Sequence, residues 1–251
     1  MNRTKPREWF HGFFGGLYGR VLGGRIHEKH APREAALIKR LLRLRKGQRV
    51  LDCPCGLGRI ARGLAALGLD VTGVDVVASY IPRARRRTAR RGLAVRFLQG
   101  DMRDLPFEGE FHAVVNWFTS FGYFDVAGNL ATARAAWRAL RPGGKFLVEI
   151  MNKSWLVPRF TPRGEEVVNG VRIVRRSRWD RQGRRILNTW TFSKGRRRET
   201  HRFAHYLYTA PQLRAVLRAA GFRGIRFLGL PGPNRLTRLS HRMIAIAHRP
   251  G

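Results

Sequence analysis

Val50-Leu51-Asp52-Cys53-Pro54-Cys55-Gly56-Leu57-Gly58-Arg59 is the stretch on which the reading of this chain turns. An apolar run ends in Asp52, a turn passes through Gly56 and Gly58, and an amphipathic segment opens at Arg59. That order predicts strand, glycine-rich loop, helix. Glycines let a ligand approach backbone where a Cβ would collide with it. The first turn of the helix offers unpaired N–H groups to whatever sits in the loop.

On both sides of the loop the pattern alternates. Ala31–Lys46 predicts an amphipathic helix with Leu37, Ile38, Leu41, Leu42 and Leu44 on its apolar side. Strands are predicted at Arg49–Asp52, Asp70–Val76, Ala94–Gln99, Phe111–Trp117 and Lys145–Ile150. Helices are predicted at Arg59–Leu67, at the very basic Ser79–Arg91 and at Asn129–Leu140, and Arg141-Pro142-Gly143-Gly144 reads as a turn. Strands alternating with helices at this spacing predict a doubly wound, Rossmann-like, mostly parallel sheet. Ligands in such sheets sit at the carboxyl ends of the strands, where the strand order reverses.

After residue 155 the pattern changes. Glu166–Trp179, Arg184–Phe192 and Thr200–Tyr208 predict a three-stranded antiparallel meander. Thr209 and Gln212 have capping-box spacing ahead of Leu213, Val216, Leu217 and Ala220, so a helix returns there. Gly224–Leu230 and Arg242–His248 predict a terminal antiparallel hairpin that brings the main sheet to seven strands. The expected organisation is an aromatic, glycine-rich arm or lid over residues 1–30 and a cofactor-binding core over 31–155. The meander insertion then occupies 156–208, and a helix and hairpin over 209–251 complete the core. Trp9, Phe10, Phe13, Phe14 and Tyr18, interleaved with glycines as far as Gly23 and Gly24, suit either a lid over a pocket or an arm packed on the domain.

Composition bounds the function. The chain has 251 residues, 43% of them hydrophobic, enough for one full-sized domain with an insertion. No run of about 18 apolar residues predicts a membrane span. A basic N-terminus without an apolar stretch predicts no secretory signal, so the expected location is the cytoplasm. Lys and Arg number 50 against 16 Asp and Glu, a net charge of +34. A field of that size attracts RNA or another polyanion, whereas a general preference for arginine on the surface needs no partner. Cys53 and Cys55 cannot make a disulfide framework and supply too few ligands for structural zinc, so no metal is expected.

Gly56–Ala61 fits G-x-G-x-x-A, which alone also fits a dinucleotide site. Asp52 narrows the choice, because a carboxylate is poorly placed beside a pyrophosphate and well placed beside an ammonium or sulfonium. Asp75 ends the next strand, where it can accept both hydroxyls of a ribose. Gly100-Asp101-Met102 follows the third strand, so Asp101 can accept an adenine amino group while Met102 covers the ring.

Taken in order, these stretches resemble the motifs of class I S-adenosylmethionine-dependent methyltransferases. Val50–Arg59 resembles the glycine-rich motif, Val74-Asp75 the ribose acid, Gly100–Asp104 the adenine motif, Phe111–Trp117 the fourth-strand motif and Leu140–Gly144 the turn before the fifth strand. The finer layout is similar to the small-molecule branch that includes sugar-amine and glycine N-methyltransferases. It rests on the aromatic stretch Trp117–Phe124, the meander after strand five and Leu207-Tyr208-Thr209 before the last helix. Asn116-Trp117 departs from the Asn-Pro-Pro-Tyr motif of base-flipping adenine methyltransferases. The resemblance implies S-adenosylmethionine as cofactor, held by Asp52, Cys55, Gly56, Gly58, Asp75, Val76, Asp101, Met102 and Asn116. It implies in-line methyl transfer to N or O of a small-molecule acceptor, with Tyr123 as the candidate for orientation or weak base work. His11, Tyr18, His205 and Tyr206 are further candidates on the lid or meander. An RNA methyltransferase, a non-catalytic nucleic-acid binder on the same fold and a dehydrogenase are the competing readings.

Overall fold

The computed structural model describes residues 8–22, 28–232 and 234–251; Gly23 and Gly24 lie outside them. Helix α1 (Trp9–Gly15) and a π-helical turn (Tyr18–Leu22) precede α2 (Ala31–Leu42). Then β1 (Arg49–Asp52), α3 (Arg59–Ala66), β2 (Asp70–Asp75), α4 (Tyr80–Ala89), β3 (Arg96–Gln99), β4 (Phe111–Asn116), α5 (Val126–Ala139) and β5 (Leu140–Met151) alternate. A short α6 (Lys153–Leu156) leads to β6 (Arg163–Val168), β7 (Val171–Asp180), β8 (Arg185–Lys194) and β9 (Arg197–Tyr206). Finally α7 (Ala210–Ala219) precedes β10 (Arg223–Leu230), β11 (Asn234–Arg235) and β12 (Arg242–His248).

The main sheet has the order β11-β10-β12-β5-β4-β1-β2-β3. β1 lies parallel between β2 and β4, so the chain switches direction across the sheet at β1 and β4. β12 inserts antiparallel between β5 and β10, which closes the sheet with a hairpin. The doubly wound architecture is as predicted, with eight strands rather than seven because two-residue β11 pairs outside β10. Apolar side chains cover both faces. Leu51, Val114, Phe146 and Ala245 pack on one side under α5 and α7, and Val50, Val115, Leu147 and Ile246 on the other under α2 and α3. Gly63 permits the close α2–α3 contact, since a Cβ there would stand 2.7 Å from that of Ala35.

Three differences from the sequence reading have local causes. α2 stops at Leu42, earlier than predicted, because Arg43 adopts the left-handed region (φ 54°) and its N–H closes the last turn on Arg40 and Lys39. The Arg141–Gly144 turn is a bulge within β5: pairing with β4 breaks between Phe111 and Ala113 while the strand runs on. The meander has four strands, not three, because Asn169-Gly170 (φ 52° and 71°) makes a two-residue turn between β6 and β7. Asn-Gly is the strongest short hairpin signal, and here it divides a run read as one strand. The capping box of α7 forms as predicted between Thr209 and Gln212. Among the described residues no helix is long and apolar enough to cross a membrane.

Candidate active site

The carboxyl ends of β1, β2 and β4 open into a cavity of about 470 Å³, roofed by α1 and walled on the far side by the meander. Its inner half is built by the loop after β1. The Cys55 N–H donates to the Val74 carbonyl (2.8 Å), which ties the loop to β2, and the Gly58 N–H closes the turn on the Cys55 carbonyl (2.9 Å). Gly58 sits at φ 75°, and a Cβ there would stand 2.7 Å from the Phe97 ring. Gly56 also has positive φ (56°), and a Cβ on it would meet nothing within 4 Å, so it would project into open space. Arg62 holds the loop from behind. It is buried to 1% exposure, donates to the Leu57 carbonyl and pairs with Glu28 (both 2.6 Å).

Three acids face this half. Asp52 is buried and accepts the Ala61 N–H (3.0 Å). Burial pushes its carboxyl up to about 8, against the Ala61 hydrogen bond and with a smaller push from Asp75. Asp75 accepts the Gly56 N–H on one oxygen (2.8 Å) and the Val77 N–H on the other (2.9 Å). Burial raises it to about 6 while both amides oppose the rise. Each Asp75 oxygen keeps a free lone pair, an arrangement that fits a pair of neighbouring hydroxyls. Asp101 stands at the third corner but is gripped by the Arg103 guanidinium (2.6–3.1 Å), which also pairs with Glu8 and lies 4.1 Å over Phe124. Met102 and Val76 complete the wall between Asp75 and Asp101.

Two of the expected residues take up positions that differ from the sequence reading. Asn116 is not among the cavity-lining residues. Its amide donates to the Cys53 carbonyl (3.0 Å) and to Met102 Sδ (3.5 Å), so it supports the loop and Met102 from outside. Asp101 is not a free acceptor, because Arg103 engages both its oxygens. Cys55 lines the cavity, and burial pushes its thiol and that of Cys53 far up, which leaves both as unreactive thiols.

The outer half is aromatic. Trp9 stacks on Phe203 (4.5 Å, 13°) and meets Tyr123 edge-on (5.3 Å). The Tyr80 hydroxyl donates to the Phe14 carbonyl (2.9 Å), and the Leu17 N–H donates to Glu199 (2.6 Å), so the N-terminal roof is fastened to both the core and the meander. Ile186, Asn188 and Trp190 alternate on β8 and present their side chains to the same cavity. Tyr123 lines it, hydrogen-bonded to Ser120, and burial pushes its phenol well above the usual tyrosine range. His205 lies 5.4 Å from Tyr123, is bonded to the Phe121 carbonyl, and is pushed by burial down to about 4. Tyr18 also lines the cavity, whereas His11 and Tyr206 do not; Tyr206 accepts from Arg185 (3.0 Å).

Sequence reasoning passed over Arg62, Asn188, Trp190 and Arg242. The period-two spacing of Ile186, Asn188 and Trp190 was a usable signal for Asn188 and Trp190 on β8, once the strand's inner face was known. For Arg62 and Arg242 none existed, since in a chain so rich in arginine nothing distinguishes a buried one.

The chain matches the family model described as a methyltransferase domain over residues 50–144. It is 34% identical over 104 residues to a putative methyltransferase of Bacillus subtilis, YqeM, covering 41% of this chain. The match spans 42% of that relative, so less than half its length. It is 30% identical over 256 residues to a dTDP-3-amino-3,6-dideoxy-alpha-D-glucopyranose N,N-dimethyltransferase of Streptomyces fradiae, covering 93% of this chain and 96% of that one. A solved S-adenosylmethionine-dependent methyltransferase from Clostridium acetobutylicum superposes with a TM-score of 0.78 over 96% of this chain and 99% of its own, at 15% identity, a likeness of fold. With the Streptomyces fradiae relative 30% identical over nearly the whole of both chains, the chain belongs to the S-adenosylmethionine-dependent methyltransferases.

Proposed function

We propose that the protein transfers a methyl group from S-adenosylmethionine to the amine of a small-molecule acceptor, in the class of aminodeoxysugars carried on a nucleotide. The observation that carries the reading is one cavity with two unlike halves. Its inner half is glycine and carboxylate, and its outer half is aromatic, with Tyr123, Asn188 and His205 among its polar groups and no carboxylate.

In this reading the inner half holds the donor. Asp75 takes the ribose hydroxyls. Val76 and Met102 sandwich the adenine, with Asp101 at its edge. Gly56 and Gly58 let the methionine part lie against backbone. Asp52 faces its ammonium, whose positive charge stabilises the ionised form that burial disfavours. The bound sulfonium supplies a methyl already activated for displacement, so the protein's contribution is alignment and exclusion of water. Trp9, Phe203 and Tyr123 exclude water over the outer half.

The ionisable groups there favour an amine over a hydroxyl. A hydroxyl needs a base to take its proton. Tyr123 stays a neutral phenol, and His205, with its basicity lowered by burial, stays a neutral and weak imidazole. An amine that enters uncharged needs neither, and Tyr123 then orients it. The full-length relative from Streptomyces fradiae, named for an aminosugar substrate, supports the same choice.

The test is transfer of labelled methyl from S-adenosylmethionine to dTDP-3-amino-3,6-dideoxyglucose, with the 3-hydroxy sugar nucleotide and total RNA as parallel acceptors. Label on the amino sugar alone is the expected result. Label on the hydroxy sugar or on RNA, with none on the amino sugar, refutes the acceptor class. Failure of S-adenosylhomocysteine to raise the melting temperature refutes the donor site.

A further inference from the structure

β4 ends in a turn that the backbone does not adopt unaided. Phe118 (φ 69°) and Thr119 (φ 61°) are consecutive non-glycine residues in the left-handed region. That region is uncommon for any side chain and strained for a bulky one. Both residues line the cavity, between Trp117 and Ser120. Something must hold them, and the bonds that do so converge on one residue. Glu149 of β5 is buried to 1% exposure. One of its carboxylate oxygens accepts the Phe118 N–H (2.7 Å), and its own backbone carbonyl accepts the Thr119 N–H (3.0 Å). The other oxygen accepts from Arg242 Nη1 (2.8 Å), which donates to Thr119 Oγ1 as well (2.7 Å). Arg242 and Arg59 also stand over the Phe118 ring, at 4.9 and 5.5 Å.

We propose that Glu149 is a positioning residue for methyl transfer, holding Phe118 and Thr119 in the left-handed turn and anchoring Arg242 beside the acceptor. This rests on the methyl-transfer reading above. Two consequences follow from the geometry. Because Thr119 Oγ1 already accepts from Arg242, its own proton is turned away from that guanidinium and is available to an acceptor in the cavity that the residue lines. Because Glu149 neutralises Arg242, the cavity gains the guanidinium's hydrogen bonds without a net positive charge, which would repel a sulfonium. Glu149 touches neither reactant in this scheme. Arg59 opens α3 directly after the glycine loop, so the Phe118 ring bridges the donor loop to the acceptor turn.

Glu149→Gln keeps the size and one acceptor and removes the charge. With dTDP-3-amino-3,6-dideoxyglucose as acceptor, kcat should fall at least tenfold while the affinity for S-adenosylhomocysteine, read by calorimetry, stays within about twofold. Arg242→Gln should lower kcat similarly, and the double variant should be no worse than the worse single, since both act through one turn. An E149Q kcat within twofold of wild type, a parallel loss of donor affinity, or multiplying losses in the double variant would each overturn the proposal. If E149Q does not fold, R242Q alone decides: unchanged kcat overturns it. A wild-type protein inactive on this acceptor counts against the acceptor class and not against Glu149. The turn is then read by denaturation. Thr119→Gly should raise the folding equilibrium constant at least threefold in the E149Q background and not in wild type, and equal effects in both backgrounds would overturn the proposal.

Discussion

The buried acids of the donor half make stability depend on pH in a way that can be worked out. Asp52 has a carboxyl pushed from 3.8 up to about 8 in the folded protein. Between those values the folded state binds a proton that the unfolded state has lost, so stability falls as pH rises, by about 1.4 kcal/mol per unit. Asp75, raised to about 6, acts in the same sense but is nearly spent by pH 6.5. His112, His205 and His248, all lowered from 6.5, act in the opposite sense, mostly below that value. Between pH 6.5 and 8 the Asp52 contribution is therefore a loss of about 1.5–2 kcal/mol. Asp52→Asn keeps an acceptor for the Ala61 N–H and removes the titration. Urea midpoints of both proteins at the two pH values, converted with a common m-value, should show the wild type losing about 1.5–2 kcal/mol more than the variant. Donor binding should report the same proton. At pH 7 the carboxyl is mostly protonated, and the ammonium of S-adenosylhomocysteine needs it ionised. Calorimetry in two buffers of different ionisation enthalpy should show close to one proton released, and none from D52N. Equal pH slopes in the two proteins, or no proton release from wild type, would refute the placement of Asp52.

Three further outcomes are expected. Asp75→Ala removes the acceptor between Gly56 and Val77 and should weaken S-adenosylhomocysteine binding at least tenfold by calorimetry, in a chain whose circular dichroism spectrum is unchanged; normal binding would displace the ribose site. Gly58→Ala places a Cβ 2.7 Å from the Phe97 ring on a residue at φ 75°, and should cost about 1–3 kcal/mol in chemical denaturation. Thr209→Ala removes the cap of α7 and should cost about 1 kcal/mol by the same measurement, with donor affinity unchanged.

The sequence carried the sheet well because its signals are local. Apolar runs ending in Asp52 and Asp75, with a glycine turn between strand and helix, leave one arrangement for β1, α3 and β2. It placed the three acids at one cavity for the same reason, since Asp52 and Asp75 end β1 and β2 and Asp101 lies two residues past β3. What it could not carry was side-chain direction. Asn116 ends β4 in the right place, yet its amide serves the Cys53 carbonyl, a choice made by packing across 63 positions of chain. Asp101 is likewise placed, and then claimed by Arg103 two residues on. Glu149 lay within a predicted strand as an isolated acid, and its partners Phe118 and Arg242 come from the turn after β4 and from β12, which are brought together only by the sheet order.

The arginine excess looks different once individual side chains are placed. A surface bias and a polyanion footprint both assume guanidinium groups in solvent, but several here are donors to backbone carbonyls. Arg249 donates to the carbonyls of Trp137, Arg138 and Leu140 while lying 3.9 Å over the Trp137 ring. Arg85 donates to the Phe97 carbonyl, Arg214 to that of Ile225 and Arg226 to that of Leu41. Each satisfies a backbone carbonyl that would otherwise fall to water or a neighbouring amide. At the site the same chemistry is turned inward: Arg62 supports the glycine loop, Arg103 holds Asp101, and Arg242 holds Thr119. A guanidinium suits this work because it is planar, presents five donors and is weakly hydrated, so it reaches carbonyls and aromatic faces at once. A guanidinium bonded to a neutral carbonyl keeps its charge, so these bonds fix where the excess is held without reducing it. The +34 counts every arginine equally, while those at the cavity are already committed to loop, acid and turn.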